Sequence, residues 1–493
     1  MASMVILMTQ ETAYKEFADE AEQSAKKLVS EIRGNSRIRV VSHLDADGLA
    51  AAGILCSALF RTRARFHLTV LRQLRRKTIE ELTSGGGDAF VFVDLGSGQI
   101  PEISELMSNS KVFIFDHHPP MDSEATSFSH VNPHLCSIDG TTMISAAGVT
   151  YFVARAMDPS NTDLSSLAVV GALGDQQDKG EQRSLTGLNA EIVKDAEKAS
   201  VLEVKKDIRL FGRETRPIHT ALEYTTEPYI PGLTGNGDAC AKLLLNLGIQ
   251  LKEGENWRTI STLTQEEKTR LVSELVRRMM SKGMDPKDAE SLIGTVYTLT
   301  KEDKGTSFRD AREYSSLLNA CGRMGYPGLG VAACMGDRCE GLKETQNVLS
   351  QYRRKLAEYL GFFEKTSFVK ETEHLQYFNA GDQMDDRMIG PVTSIAISSR
   401  LLKSDRPVVA LANSEDNLIK ISMRATDQLV KKGIDLGKAI REATQGIEGE
   451  AEGGGHDIAA GAFIAKGREE LFLLQLDDAI KNQLDSRQSQ SSN

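Results

Sequence analysis

Three short segments of this 493-residue sequence carry aspartate and histidine side chains in close succession. They read HLDADG from His43, VDLG from Val93 and DHHPP from Asp116, and a fourth segment, VVGALGDQQD, adds Asp175. Carboxylate and imidazole groups are ligands for divalent cations such as Mn²⁺. These residue types suit a metal centre, provided that folding brings the segments together.

Each of the first three segments follows an apolar run that predicts a buried strand. The strands are expected within IRVVSH, DAFVFVDLGSG and KVFIFDHH, with helical segments between them. This alternation indicates a parallel α/β sheet, in which ligands bind beyond the carboxyl ends of the strands. The acids and imidazoles would then meet at one edge, where cations must offset the repulsion between the carboxylates.

A single motif of this kind is weak evidence, because each has a structural alternative. DxDG occurs in ordinary turns, an aspartate after a strand such as Asp94 often caps a helix, and paired histidines are frequent on surfaces. The joint arrangement favours a metal site, because three strands independently end in a ligand residue.

The sequence resembles the DHH phosphoesterase superfamily, whose four motifs match HLDADG, VDLG, DHHPP and ALGD in this order. EGGGHDIAAG, near the end of the chain, resembles the glycine–histidine motif of the DHHA1 domain that follows in many members. RPIHTALEYTTEPYIPGLTG and SFRDAREYSSLLNACGRMG look like the archaeal RecJ-like single-strand nuclease branch. The resemblance implies a two-metal phosphodiesterase with a cleft between its two end domains.

By this resemblance, five residues form the metal centre. Asp45 and Asp47 would bind different ions, Asp94 would bridge them, and His117 and Asp175 would complete the shell of the second ion. Imidazole in the shell favours Mn²⁺ over Mg²⁺, which prefers oxygen ligands. We therefore expect two Mn²⁺ ions, with Mg²⁺ or Co²⁺ as substitutes.

The same resemblance assigns roles to the neighbouring residues. His118 would face the substrate phosphate or protonate the leaving oxygen, and Asp116 would hold the strand end or an imidazole. Pyrophosphatase-like members place a histidine four residues before the first aspartate, a position that Val41 occupies here. His43 lies two residues before Asp45, on the same side of an extended chain, and is either a ligand of the first ion or a structural histidine.

The C-terminal motif suggests a grip on substrate. Gly453, Gly454 and Gly455 would let backbone amides approach an anion, His456 would add a donor, and Arg424 could bind a phosphate with two hydrogen bonds. The alternative is a flexible loop beside an ordinary strand arginine.

Three further residues are candidate substrate contacts. Ser145 would open a helix against the sheet and touch substrate, whereas Asn319 and Arg323 would either reach the cleft or end a helix.

Periodicity and composition predict an α/β chain with a parallel-sheet domain, a mostly helical middle region and a smaller α/β domain. The expected segments are 1–225 (DHH catalytic domain), 226–345 (helical insertion), 346–370 (connecting helix), 371–485 (DHHA1 substrate-binding domain) and 486–493 (disordered tail). An amphipathic helix is expected over residues 263–283.

Composition and charge limit the classes of function. No apolar stretch could cross a bilayer, the start lacks a basic signal region, and six scattered cysteines favour a cytoplasmic protein without disulfides. The net charge of −10 argues against a general nucleic-acid coat. Residues 61–77 nevertheless carry seven cations and no acid, which fits a solvated strand and loop as well as a phosphate track.

Three functions remain to be compared. The first is an exonuclease that releases mononucleotides from single-stranded DNA or RNA, in DNA replication and repair or in RNA processing. The second is a phosphodiesterase for short oligonucleotides or cyclic dinucleotides, which usually needs only the two end domains. The third is a catalytically inactive replisome scaffold, against which the complete ligand set argues. The resemblance also implies a protein partner, either the GINS replication complex or a repair helicase.

Overall fold

The computed structural model of the chain describes residues 2–121, 128–225, 228–284, 286–364, 368–447, 449 and 451–491. The chain forms two compact units, Met1–Leu349 and Ser350–Asn493.

A five-stranded parallel sheet lies at the centre of the first unit. Its strands are β1 (Arg37–His43), β2 (Arg65–Leu71), β3 (Ala89–Val93), β4 (Lys111–Phe115) and β5 (Ser129–Val131), in the order β2-β1-β3-β4-β5. The chain leaves β1 for β2 on one side and then places β3 on the other side of β1. The carboxyl ends of β1 and β3 therefore flank a topological switch point, where open α/β sheets bind their ligands.

Seven helices accompany this sheet. They are α1 (Ala2–Arg33), α2 (Ala46–Arg61), α3 (Arg76–Ser84), α4 (Ile100–Leu106), α5 (Ala146–Met157), α6 (Ser165–Gly174) and α7 (Gly187–Lys198). Helix α2 consists mostly of small and apolar residues, which suits its packing against α5, α6 and β1. Its residues from Ala46 to Leu59 are buried. A Cβ at Gly174 would lie 2.6 Å from that of Ala46, so glycine allows the end of α6 to meet the start of α2.

The sequence predicts β1, β3 and β4, allows a solvated strand within residues 61–77, where β2 lies, and does not predict β5. Strand β2 lies at the edge of the sheet within the basic segment of residues 61–77. Within that segment, Arg61 forms an ion pair with Asp163 and Arg76 forms one with Glu105.

The middle region starts and ends with an antiparallel pair of strands. The pair is β6 (Leu202–Ile208) and β9 (Ile293–Leu299), and between them come α8 (Ile218–Glu223), α9 (Gly237–Asn246), β7 (Lys252–Glu253), β8 (Asn256–Trp257), α10 (Gln265–Ser281) and α11 (Pro286–Glu290). The helices share a core of their own with Leu222, Leu244 and Leu275. Helix α10 confirms the predicted amphipathic helix, and a capping box of Thr264 and Glu267 begins it.

Three helices follow the middle region. Helices α12 (Ala311–Arg323) and α13 (Pro327–Cys334) pack against α2, and α12 also packs against α6. Helix α14 (Glu340–Leu360) spans the boundary between the two units.

The second unit contains a mixed six-stranded sheet. Its strands are β10 (Lys370–Glu371), β11 (Gln376–Asn379), β12 (Val408–Asn413), β13 (Leu418–Arg424), β14 (Ala451–Gly455) and β15 (Ala459–Ala465), in the order β10-β11-β12-β13-β15-β14. The accompanying helices are α15 (Ile389–Ser398), α16 (Asp427–Lys431), α17 (Leu436–Gln445) and α18 (Glu469–Ser491). The α/β prediction for this unit is confirmed.

The end of the chain differs from the expectation of a disordered tail. Helix α18 continues as far as Ser491, and residues 492–493 lie outside the described residues. None of the helices in the described ranges combines the length and apolar composition of a membrane span.

Candidate metal centre

The turn from β1 into α2 holds two carboxylates in different ways. Asp45 is the N-cap of α2 and accepts a hydrogen bond of 3.1 Å from the Gly48 amide. Asp47 lies in the first helical turn, and its carboxylate accepts from the amides of Ala146 at 2.7 Å and Ala147 at 3.0 Å. These two amides begin α5, so that helix fixes the orientation of Asp47.

Asp94 follows β3 in a left-handed backbone conformation, with φ of 59°. Such a conformation costs on the order of 1–3 kcal/mol for a residue other than glycine and clusters at functional sites. Its carboxylate is buried, and its Oδ1 has no hydrogen-bond partner among the described residues. A buried carboxylate oxygen without a donor is costly, and a cation would offset that cost.

His117 presents one ring nitrogen to the carboxylates. Its Nδ1 lies 2.7 Å from the Gly140 carbonyl oxygen, which can only accept, so Nδ1 carries a proton. Its Nε2 lies 3.5 Å from Asp94 Oδ1 and 3.8 Å from both Asp47 Oδ2 and Asp175 Oδ2. A metal-binding histidine is commonly oriented by a carbonyl in this way.

Asp116 serves the two histidines that follow it. Its Oδ1 accepts from the His117 amide, the His118 amide and His118 Nδ1, the last at 2.8 Å, and its Oδ2 accepts from the Ser97 amide. The prediction that Asp116 holds an imidazole is confirmed. Burial favours the neutral acid, but the charge of His118 and these bonds hold the pKa of Asp116 below its usual range.

One group of potential ligand atoms joins Asp94 to Asp116 and His118, and the ligands predicted from the sequence fall into two further groups that also share Asp94. His43, Asp45 and Asp94 form one group, and Asp47, Asp94 and His117 form the other, with the ligand atoms of each within 4.8 Å of one another. His43 Nδ1 lies 3.1 Å from Asp45 Oδ2 and 3.4 Å from Asp94 Oδ2. Asp175, at the end of α6, lies beside the second group.

The pKa values reflect carboxylates packed together out of water. Burial, then Asp94, raises the pKa of Asp47 to about 8, and burial raises that of Asp175 to about 6 despite the charge of His117. Burial opposes a charge on His43, but Asp45 and Asp94 raise its pKa to about 10. Oxygen and imidazole donors with this excess of negative charge fit divalent cations.

The three further substrate candidates of this unit have structural contacts. Ser145 is fully buried as the N-cap of α5, with its hydroxyl accepting from the Gly148 amide, which leaves no surface for a substrate contact. Asn319 lies within α12 and does not end it; its Oδ1 accepts from the Ala46 amide at the start of α2, at 3.2 Å. Arg323 is the last residue of α12, as the helix-end alternative has it; burial favours the neutral form of Asp45, but the charge of His43, with a smaller contribution from Arg323, lowers the pKa of Asp45.

In the second unit, the glycine motif is an edge strand rather than a loop. Residues 453–455 belong to β14 and pair with β15. A Cβ at Gly453 would lie 2.4 Å from Ile440 of α17, whereas one at Gly454 would meet nothing within 4 Å. The His456 amide donates to the Ala459 carbonyl, which continues the strand pairing.

Arg424, at the end of β13, is hydrogen-bonded within its own unit. Its guanidinium donates to the hydroxyls of Ser394 and Ser422 and to the Met423 carbonyl.

Sequence reasoning missed two contributors to the centre, Gly140 and Gln177. Gln177 Nε2 donates to Asp175 Oδ2 at 3.0 Å and to the Gly140 carbonyl at 2.9 Å. The polar run DQQD at the end of an apolar helix was the available signal for Gln177, and nothing in the sequence marks Gly140.

Three features define the class of the protein. They are a parallel sheet with two ligand groups at its switch point, an inserted middle region, and a second unit with a mixed sheet. Residues 37–174 match the DHH family, N-terminal domain; residues 210–293 match the DHH-CID domain; and residues 377–482 match the DHHA1 domain. An uncharacterized protein of Methanocaldococcus jannaschii is 34% identical over 453 residues, which cover 91% of this chain and 94% of that protein. The chain belongs to the DHH family, as its motifs predict.

Solved structures share the fold at low sequence identity. CDC45 from Entamoeba histolytica has a TM-score of 0.63 at 14% identity, with 93% of this chain and 99% of that chain covered. RecJ in complex with Mn²⁺ from Thermus thermophilus has a TM-score of 0.56 at 18% identity over 94% of this chain, which spans 55% of that RecJ. Exonuclease RecJ bound to manganese has a TM-score of 0.54 at 18% identity, with 94% of both chains covered.

Proposed function

We propose that the protein is a Mn²⁺-dependent exonuclease that hydrolyses single-stranded DNA or RNA to mononucleotides. The observation that carries this proposal is Asp94, which belongs to two ligand groups at once and has a buried oxygen without a hydrogen-bond donor in the described part of the chain. A carboxylate in that position suits a bridge between two cations. The fold shared with manganese-bound RecJ supports the same reading.

In this proposal the two groups hold one ion each. His43, Asp45 and Asp94 hold the first, and Asp47, Asp94, His117 and Asp175 hold the second. A pair of bound ions lowers the pKa of water and stabilises the charge of a phosphodiester during in-line displacement. The assignment of His43 as a ligand follows from its 3.1 and 3.4 Å contacts with two carboxylates.

His118 supplies a proton to the substrate. Its Nδ1 is engaged by Asp116 at 2.8 Å, which directs Nε2 away from that carboxylate. Burial disfavours a charge on the ring, but Asp116 raises the pKa of His118. A protonated Nε2 can bind a phosphate oxygen or protonate the leaving oxygen.

Binding groups outside the metal centre hold the substrate backbone. Arg323 lies near the first ligand group by its effect on Asp45, and it would contact a phosphate. In the second unit, Gly454 leaves open space above the edge strand β14; His456 directly follows β14 and Arg424 ends β13, and these two strands flank β15. We assign these three to substrate contact as well.

The test is a comparison of substrates with the purified chain. End-labelled single-stranded DNA and RNA, a duplex, a dinucleotide and a cyclic dinucleotide are incubated with Mn²⁺ or with a chelator. Ladders that shrink to mononucleotides, on single strands only, support the proposal. Cleavage confined to the dinucleotides would replace it with the short-oligonucleotide phosphodiesterase.

A replisome scaffold is the second candidate, because CDC45 shares the fold along nearly the whole chain. Its signature would be a protein that binds Mn²⁺ but cleaves none of these substrates. We propose the GINS replication complex or a repair helicase as the partner in either case, and pull-down with each purified candidate tests this.

A further inference from the structure

The turn that follows α6 contains buried polar residues and one residue with a positive φ. It begins with Asp175 and continues through Gln176, which has φ of 55°, to Gln177 and Asp178. Gln177 and Asp178 are 0% and 2% exposed. A polar turn with a strained residue keeps one conformation only when its surroundings determine it.

Gln177 connects two residues of the second ligand group. Its Nε2 donates to Asp175 Oδ2 at 3.0 Å and to the Gly140 carbonyl at 2.9 Å, and the same carbonyl accepts from His117 Nδ1 at 2.7 Å. Its Oε1 accepts from Asn189 Nδ2 at 2.7 Å, which fixes the amide orientation. One side chain thus orients both a carboxylate and an imidazole.

Asp178 ties the same turn to the two ends of the middle region. Its Oδ2 accepts from Arg209 Nη2 at 2.7 Å and also from Arg312 Nη2. Arg209 directly follows β6, where the chain enters the middle region. Arg312 lies in the first turn of α12, which comes after β9, the strand at which the chain leaves the middle region. Charge-assisted bonds to a buried carboxylate are strong and directional.

We propose that Gln177 and Asp178 are positioning residues for the second ion, and that Arg209 and Arg312 couple this position to the middle region. The inference rests on the two-ion centre of the proposed function, but not on the choice of substrate. Among the described residues, Gln177 and Asp178 bond to Asp175, to the Gly140 and Ile144 carbonyls, to Asn189 and to the two arginines, and not to His43 or Asp45, so we expect the second ion to be affected most.

Manganese titration of the metal-free protein tests the positioning role. Calorimetry resolves the two binding steps, and the electron paramagnetic resonance spectrum reports whether two Mn²⁺ ions are adjacent. Gln177→Glu has nearly the same shape but places a second carboxylate against Asp175. We expect it to weaken one binding step by about 10- to 100-fold, to leave the other step unchanged and to remove the coupled Mn²⁺ signal.

A pair of variants at Arg312 tests the coupling to the middle region. Arg312→Met should weaken the same binding step by a smaller factor, and Arg312→Lys, which keeps the charge, should restore it. Arg312 is partly exposed, so both variants should fold.

Two matched controls separate positioning from general stability. Asn161→Leu removes another buried amide that donates to a carbonyl, and Asp195→Asn removes another carboxylate paired with an arginine, both in the first unit. Both controls should lower the melting temperature without changing either binding step.

Equal weakening of both steps by Gln177→Glu, or no change in either, would overturn the inference. A wild-type protein that binds two Mn²⁺ ions but cleaves no nucleic acid would instead contradict the proposed function and leave the inference intact.

Discussion

The region that we assign to catalysis consists of buried charged side chains, whereas the region that we assign to substrate binding consists mainly of backbone. At the carboxyl edge of the first sheet the side chains are buried, and burial, together with the neighbouring carboxylates, raises the pKa of Asp47 to about 8. In the second unit, the motif is an edge strand of glycines with hardly any side chains. In the first region, bound cations would reduce the repulsion between the carboxylates. In the second region, the close packing of α17 on the backbone of β14 limits the size of the side chains that fit there.

The largest effect should come from removing the shared carboxylate. Asp94→Asn should abolish Mn²⁺-dependent cleavage and at the same time raise the melting temperature of the metal-free protein, because one source of repulsion is gone. Cleavage assays and thermal unfolding in chelator measure the two effects. A fall in melting temperature would show that Asp94 is held by stabilising contacts, and the contrast between the regions would fail.

The second prediction concerns pH. Asp47 and Asp175, with pKa values raised to about 8 and about 6, bind protons that Mn²⁺ must displace. Affinity for Mn²⁺ should therefore rise between pH 6 and pH 8, by up to about 10-fold per pH unit for each proton displaced. Calorimetry in buffers of different ionisation enthalpy measures both the affinity and the protons released.

Linkage gives the sign of the matching stability change. Over the same range the folded metal-free chain binds more protons than the unfolded chain, because the folded pKa of Asp47 lies above its usual value of 3.8. The metal-free protein should therefore lose stability as pH rises toward 8. Affinity and stability that are both independent of pH would contradict the charge distribution of this centre.

The third prediction separates two adjacent glycines in the second unit. Gly453→Ala drives a methyl group into Ile440 and should destabilise the protein by about 1–3 kcal/mol. Gly454→Ala meets open space and should leave stability unchanged while weakening substrate binding. Denaturant unfolding and KM for a single-stranded oligonucleotide test the two variants. Equal losses of stability would show that contact with Ile440 is not the reason for glycine at position 453.

The smallest effect is expected at His456. His456→Ala should raise KM for the oligonucleotide by up to about 10-fold, the worth of one net hydrogen bond, and leave Mn²⁺ affinity unchanged. A loss of Mn²⁺ binding would show that His456 belongs to the metal centre and not to the backbone-built region.

The sequence predicts which acids and imidazoles meet at one edge of the sheet, because apolar runs mark β1, β3 and β4 and these side chains follow directly on them. It leaves β2 as one of two alternatives for the basic segment, because an edge strand with Arg65 and His67 exposed has the composition of a surface loop. It misses Gln177, whose importance depends on a carbonyl 37 residues away in the chain. The requirement for glycine at position 453 likewise depends on a tertiary contact, the packing of Ile440 of α17 against β14.

Strands β6 and β9 pair from Leu202 with Leu299 to Ile208 with Ile293, so the chain leaves and re-enters the first domain at one place. A segment attached through neighbouring ends can be lengthened, shortened or exchanged with little cost to the sheet that carries it. The middle region is thus a detachable module, whereas Arg209 and Arg312 lie at its base and would stay behind. A chain shortened by a tight turn after β6 would keep the first sheet and the second unit.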